Sequence, residues 1–291
     1  MLHRRIIVFQ IALLLSMSCR GAEIFYMDHD PVTDRYVGPV GPLVISGEIT
    51  PGDYDALLAQ ILGDENRFLE QNKIILASDG GDMAEALKIA KLVKALYSQL
   101  SVGKLTGRCV SACFFIYAAA GQREANGDKL LGINRPFIAN AGANAGADAD
   151  AALLASPGAA VAESAALTQL RGFLKENAVP DYLVEEMFRH ASDDAYWLSG
   201  DDEKSLGTRS QSFKQFLAAK CAWDDNIERE TYAGKRPLED LKQLLMCRDR
   251  ATQDAARQVL LAARQEKSPR EQPARDPRVK PRIRPPAAPA H

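Results

Sequence analysis

Histidine is scarce in this chain, with four among 291 residues. His3 and His291 fall in ends expected to be removed or disordered, so only His29 and His190 remain as candidate bases or ligands. No His/Cys cluster has the spacing of a zinc site, so neither a metal nor another cofactor is expected. Charge of one sign is not in excess: a net charge of −2 gives no general affinity for nucleic acid. A phosphate loop of the Walker type is missing, so the chain carries no ATPase of its own. The apolar run over residues 6–15 is too short to span a bilayer. What is present is ordinary for a globular protein, with 46% apolar and 25% charged residues, enough for one large domain with an appendage.

The N-terminus reads as a secretory signal over residues 1–21. His3, Arg4 and Arg5 form the basic start, residues 6–15 the apolar stretch, and Ser16, Met17 and Ser18 supply small residues for cleavage. Cys19 admits a lipoprotein as the lesser alternative. Export implies a periplasmic or secreted protein in an oxidising compartment. Residues 23–42 read as a leader loop or an edge strand. A strand over 43–49 follows, then a helix to about residue 62 with Thr50 as its cap and Pro51 in its first turn.

Residues 76–136 organise the rest. A β-branched run over 73–78 ends in Gly80 and Gly81, as a buried strand closed by a tight turn does. Apolar residues at Met83, Leu87, Ala90, Val93 and Leu96 mark one face of a helix over 82–97. A strand over 102–105 precedes Ser111, which opens a helix over 112–120 that is apolar on all sides and so buried. Ser111 therefore sits on a strand-to-helix turn with its hydroxyl exposed. The amide of Ala112 faces the helix start, and the glycine turn offers further free N–H groups, the ingredients of an oxyanion hole. Both turns are expected at the ends of adjacent parallel strands of one sheet. The alternation of strand and helix predicts an α/β fold of repeated βαβ units with a mostly parallel sheet. Another strand is expected over 129–133.

The glycine pair, the serine thirty positions on, the run Ala120-Gly121-Gln122-Arg123 and the strand ending Gly132-Ile133-Asn134-Arg135-Pro136 resemble the Clp protease proteolytic subunit. The wider likeness is to the Clp/crotonase fold, especially its exported periplasmic branch, over roughly residues 40–210. The resemblance implies Ser111 as nucleophile and the amides of Gly81 and Ala112 as the oxyanion hole. Asn134 stands where that family has its catalytic histidine. Asp194, or Asp193, falls near the third member of the triad, about one residue out of register. The resemblance also implies a peptide or protein substrate and a homo-oligomer. An asparagine cannot take the serine proton, so the expected enzyme is an impaired serine hydrolase of peptidase type. His190 is a candidate for the substitute base, weighed against an ordinary histidine at a helix end. The alternatives are a non-catalytic binding or assembly protein and a crotonase-like acyl-CoA enzyme, which export disfavours.

Beyond the alanine- and glycine-rich residues 140–150, read as a loop, helices are expected over 160–177 and 181–190, with a break at Pro157-Gly158. The main domain is expected over 22–209 and a small helical appendage over 210–263, with helices at 212–221, 238–247 and 251–267, the last of them solvent-exposed. Cys221 and Cys247 end two of these helices and are expected to be bridged, which contributes ~3 kcal/mol by loop closure. Cys109 and Cys113 flank Ser111; the spacing admits either a bridge or two buried thiols. Residues 264–291 hold eight Lys/Arg against three Asp/Glu and little that is apolar, so a disordered basic tail is expected. Such a tail either touches anionic envelope components weakly or only solubilises the chain.

Overall fold

The computed structural model describes residues 21–28, 41–103, 107–136, 157–191 and 193–267. Residues 1–20 of the signal segment expected over 1–21, His29, the loop at 140–150 and the tail from residue 268 lie outside the described residues.

Five strands form the first sheet in the order β1-β2-β3-β4-β6: β1 (Glu23–Tyr26), β2 (Leu43–Ser46), β3 (Lys73–Ala77), β4 (Gln99–Gly103) and β6 (Gln122–Asn126). Only β1 runs antiparallel; β2, β3, β4 and β6 pair in parallel. The parallel neighbours are joined through helices α1 (Asp53–Gly63), α2 (Glu65–Gln71), α3 (Met83–Ala95) and α4 (Ala112–Ala119). The fold is thus mixed α/β with a mostly parallel sheet, as the alternation of elements predicts. A second sheet orders β5 (Cys109–Val110), β7 (Leu131–Ile133) and β8 (Tyr196–Trp197), with β5 and β7 parallel and β8 antiparallel.

Helix α4 is buried along its whole length and packs on α3, which accounts for its apolar circumference. Helix α3 starts where expected because the Asp82 carboxylate accepts the Glu85 amide at 2.7 Å. Helix α1 starts later than expected, at Asp53, and Thr50 is not its cap. Asp53 instead takes the amides of Thr50 and Ala22, while Glu85 from α3 takes those of Gly52 and Tyr54. Side chains from elsewhere thus satisfy the amides that a local cap would have served.

The remaining helices are α5 (Pro157–Glu176), α6 (Asp181–Arg189), α7 (Gly200–Leu206), α8 (Gln211–Cys221), α9 (Asp225–Tyr232) and α10 (Leu238–Lys267). Pro157 does not break the chain but opens α5, where its missing N–H costs nothing. The helices expected at 238–247 and 251–267 are one 30-residue helix, α10, which runs past residue 263. Nor is its C-terminal half merely solvent-exposed: Ala256 and Leu260 are fully buried in the main core. A smaller cluster of Phe213, Leu217 and Trp223, with Tyr97, Phe216, Leu244 and Leu245 against it, joins α8 and α10 to the end of α3. Disulfides link Cys109 to Cys113 and Cys221 to Cys247, with Cα separations of 5.3 and 5.8 Å. Among the described residues no helix is long and apolar enough to cross a membrane.

Candidate active site

Strand β5 is only two residues long, and the chain turns from it into α4 at Ser111. Ser111 has φ 55° and ψ −123°, a conformation that a side chain disfavours by ~1–3 kcal/mol. A serine held this way presents its hydroxyl at the crest of a sharp strand-to-helix elbow. The elbow is pinned on both sides. The Ser111 amide donates to Gly132 O at 3.1 Å, and the Val110 amide donates to Ser78 O at 3.0 Å. The Cys109–Cys113 disulfide closes over the elbow from strand to helix, and both cysteines are fully buried.

The glycine turn lies directly against this elbow. A Cβ on Gly80 would stand 2.9 Å from Ser111 Cβ and 3.1 Å from the Ala112 nitrogen, so only glycine admits the approach. Gly81 has φ 134° and crosses the backbone of Ile49, whose carbonyl oxygen would lie 2.2 Å from an added Cβ. The two turns are thus neighbours, but not as ends of adjacent strands in one sheet. β3 and β5 belong to different sheets, and a single parallel bridge between Ser78 and Cys109 joins them. In the bridge between Ile49 and Gly81 the hydrogen bonds use Gly80 O, both peptide groups of Ile49 and the Asp82 amide, which leaves the Gly81 N–H outside the ladder. Ala112 is the first residue of α4, so its N–H has no acceptor within the helix. The Gly81 and Ala112 N–H groups are thus left open by the ladder and the helix, and both residues lie near Ser111.

Ser111 and Gly81 line a cleft of about 560 Å³ with Ile49, Met83, Leu87 and Leu170, an apolar wall. A second opening of about 810 Å³ lies beyond Gly81 and is more polar, bordered by Glu48, Asp79, Arg108 and Lys129. Glu48 and Gly81 border both. Arg108 and Asp79 pair across the rim of the second opening through Nε–Oδ1 and Nη2–Oδ2.

The residues expected to complete a triad are placed as follows. Val110 pairs with Gly132, so Ile133 stands opposite Ser111, and Asn134, buried, follows just past the end of β7. Asp194 is largely exposed and bonds the His190 ring, Oδ2 to Nδ1 at 3.2 Å. Asp193 is exposed. The Nε2 of His190 faces Glu186 at 3.6 Å, so both ring nitrogens look at carboxylates, and the His190 carbonyl accepts the Arg135 amide. Among the described residues no side chain bonds the Ser111 hydroxyl.

Sequence reasoning missed Glu85. This buried carboxylate fixes the Thr50–Pro51 edge of the cleft by accepting the amides of Gly52 and Tyr54 at 3.0 and 2.8 Å. Burial alone would raise its pKa, but the bonds from Lys88 and from those two amides outweigh it and hold the carboxyl below its ordinary value. The Asp82-x-x-Glu85 spacing, an acidic pair three apart at a helix start, was the signal available for it.

A scan against protein-family models and a search of curated proteins each found no match. Among solved structures the chain is similar to ClpP1 from Listeria monocytogenes, 19% identical with a TM-score of 0.37, over 56% of this chain and 85% of that one. It is similar to a mutant of the 1510-N membrane-bound stomatin-specific protease, 14% identical with a TM-score of 0.38, over 61% of this chain and 82% of that one. A protein described as an enoyl-CoA hydratase/isomerase from Bordetella parapertussis is 11% identical with a TM-score of 0.29, over 83% of this chain and 98% of that one. At these scores none of them assigns a role to a residue of this chain.

Proposed function

We propose that this chain is an exported serine hydrolase of peptidase type, impaired because Asn134 occupies the position of the base. The observation that carries the reading is Ser111 in its elbow, with the Gly81 and Ala112 amides beside it and an apolar cleft in front. Ser111 attacks a carbonyl of a peptide or protein, and the two amides take the charge that develops on its oxygen. Asp194 completes the set only through a base that the chain lacks at position 134. Removal of one triad member still leaves ~10³–10⁴-fold acceleration over water from the oxyanion hole and binding. The two disulfides favour an oxidising compartment. We further propose the domain over 22–209 with its helical appendage, self-association, and weak contact of the basic tail with anionic envelope components.

That no side chain among the described residues bonds the Ser111 hydroxyl favours a second reading, a non-catalytic protein that uses the cleft to bind. A fluorophosphonate probe separates the two. The hydrolase reading expects slow labelling of the wild type, none of Ser111→Ala, and an increase of about 10²–10⁴-fold in Asn134→His. Failure of both the wild type and Asn134→His to label leaves binding as the function.

A further inference from the structure

The disulfide over the elbow does more than add stability. Cys109 opens the two-residue β5, Cys113 lies in the first turn of α4, and Ser111 is the midpoint between them. Their Cα atoms are 5.3 Å apart, within the range a disulfide tolerates. The separation depends on the dihedrals of the three residues between. If the strand ran on through Ser111, the same Cα atoms would be ~13 Å apart, out of reach of any bridge. If α4 extended backwards to take in Cys109, they would be ~6 Å apart, but the side chains of helical i and i+4 residues lie parallel, one above the other, and do not converge on a short sulfur–sulfur bond. The bridge therefore excludes both relaxed alternatives and is compatible with the elbow.

The other restraints on the elbow are the backbone hydrogen bonds to Gly132 O and Ser78 O and the close packing of Gly80, and none of them ties strand to helix covalently. β5 has two residues, α4 has eight, and no side chain caps the helix start. A non-glycine residue at φ 55° persists only where its surroundings over-determine it. We propose that the Cys109–Cys113 disulfide sets Ser111 into its elbow, so that oxidation of these two thiols makes the serine competent to react. The inference rests on reading Ser111 as the nucleophile. In the step itself the two thiols lose two protons and two electrons to a disulfide-containing oxidant, which leaves as a dithiol, and the Sγ–Sγ bond forms. Both sulfurs belong to residues with no exposed surface, so the exchange takes place during folding and is not reversed in the folded chain. A chain folded in a reducing compartment would then carry an idle serine, and acquire its elbow only where disulfides form. Cys109 and Cys113 are positioning residues, since neither touches substrate.

The test uses the full chain as the oxidised wild type, as Cys109→Ala/Cys113→Ala, as Cys221→Ala/Cys247→Ala, and with Ser111→Ala as the blank. Fluorophosphonate labelling at saturating probe is read beside the crystallographic φ at residue 111 and the melting curve. The variant lacking the second disulfide is expected to melt earlier yet label at the wild-type rate. The variant lacking the first is expected to keep its circular-dichroism spectrum, lose the positive φ at Ser111 and label about 100-fold more slowly, the scale of loss for a reacting group displaced by ~1 Å. A wild-type chain refolded with a dithiol present gives the same comparison should the double alanine variant not fold. Retention of the positive φ without the bridge, or labelling at the wild-type rate, overturns the proposal. Loss of the positive φ in a protein whose wild type never labels supports the disulfide's hold on the backbone and removes the hydrolase reading instead.

Discussion

Ser111 occupies a backbone region that glycine enters at little cost. Replacing it with glycine removes the strain, so Ser111→Gly is expected to raise stability by ~1 kcal/mol or more while abolishing labelling, a trade of stability for reactivity visible in one melting experiment. Gly81 is the opposite case. Its added Cβ would collide with the carbonyl of Ile49, a backbone atom that has no rotamer with which to yield. Gly81→Ala is therefore expected to cost at least ~2 kcal/mol and to open the edge of the cleft, measured by denaturant unfolding. Both residues were legible in the sequence because a glycine pair and a serine before an apolar helix have few structural alternatives. The order of roles around them was less legible. His190 and Asp194, four residues apart, meet across the turn in which the Asp194 amide donates to the Ala191 carbonyl, a local pairing that reading Asp194 as a triad member passes over.

At the scale of elements, the reading succeeded where periodicity is strong and failed where it is absent. The helix α3, the strand β3 and the buried α4 each follow from a run of apolar residues at helical or strand spacing. β6, with the sequence Gln-Arg-Glu-Ala-Asn, shows no apolar alternation and is a strand because β4 offers it a partner along its full length. β5 is too short to leave a pattern. The charged stretch at Arg248–Arg250 reads as a gap between helices, yet its two arginines are good helix formers, and Thr252 bonds back to the Arg248 carbonyl within one continuous α10. The carboxyl that ties α3 to the start of α1 gives a pH prediction. The pKa of Glu85 is lower in the folded chain than in the unfolded one, so its stabilisation is present above the unfolded value and lost as pH falls through the folded one. Wild type is thus expected to lose stability on acidification through the carboxylate range, with Glu85→Gln showing a shallower slope and a lower melting temperature at neutral pH.

The whole molecule is held together by α10, about 45 Å long if regular. Its middle is bridged to α8 through Cys247, its C-terminal half lies in the main core, and Arg264 and Lys267 pair with Glu65 and Asp55. Truncation after Lys267 is expected to leave the melting temperature unchanged, whereas truncation before Ala256 exposes the core and is expected to lower it sharply, since Leu260 alone contributes ~1.5–3 kcal/mol by burial. Removing the Cys221–Cys247 bridge, with its sequence separation of 26, is expected to cost ~3.5 kcal/mol by loop-closure entropy. That closed loop has one more consequence. Lys235 stands exposed inside it, between α9 and α10, and the bond after it is open to a trypsin-like protease, whereas Pro237 shields the bond after Arg236. A cut there severs the backbone but frees neither piece. The nicked protein runs as a single band on a denaturing gel until reductant is added, and only then as two.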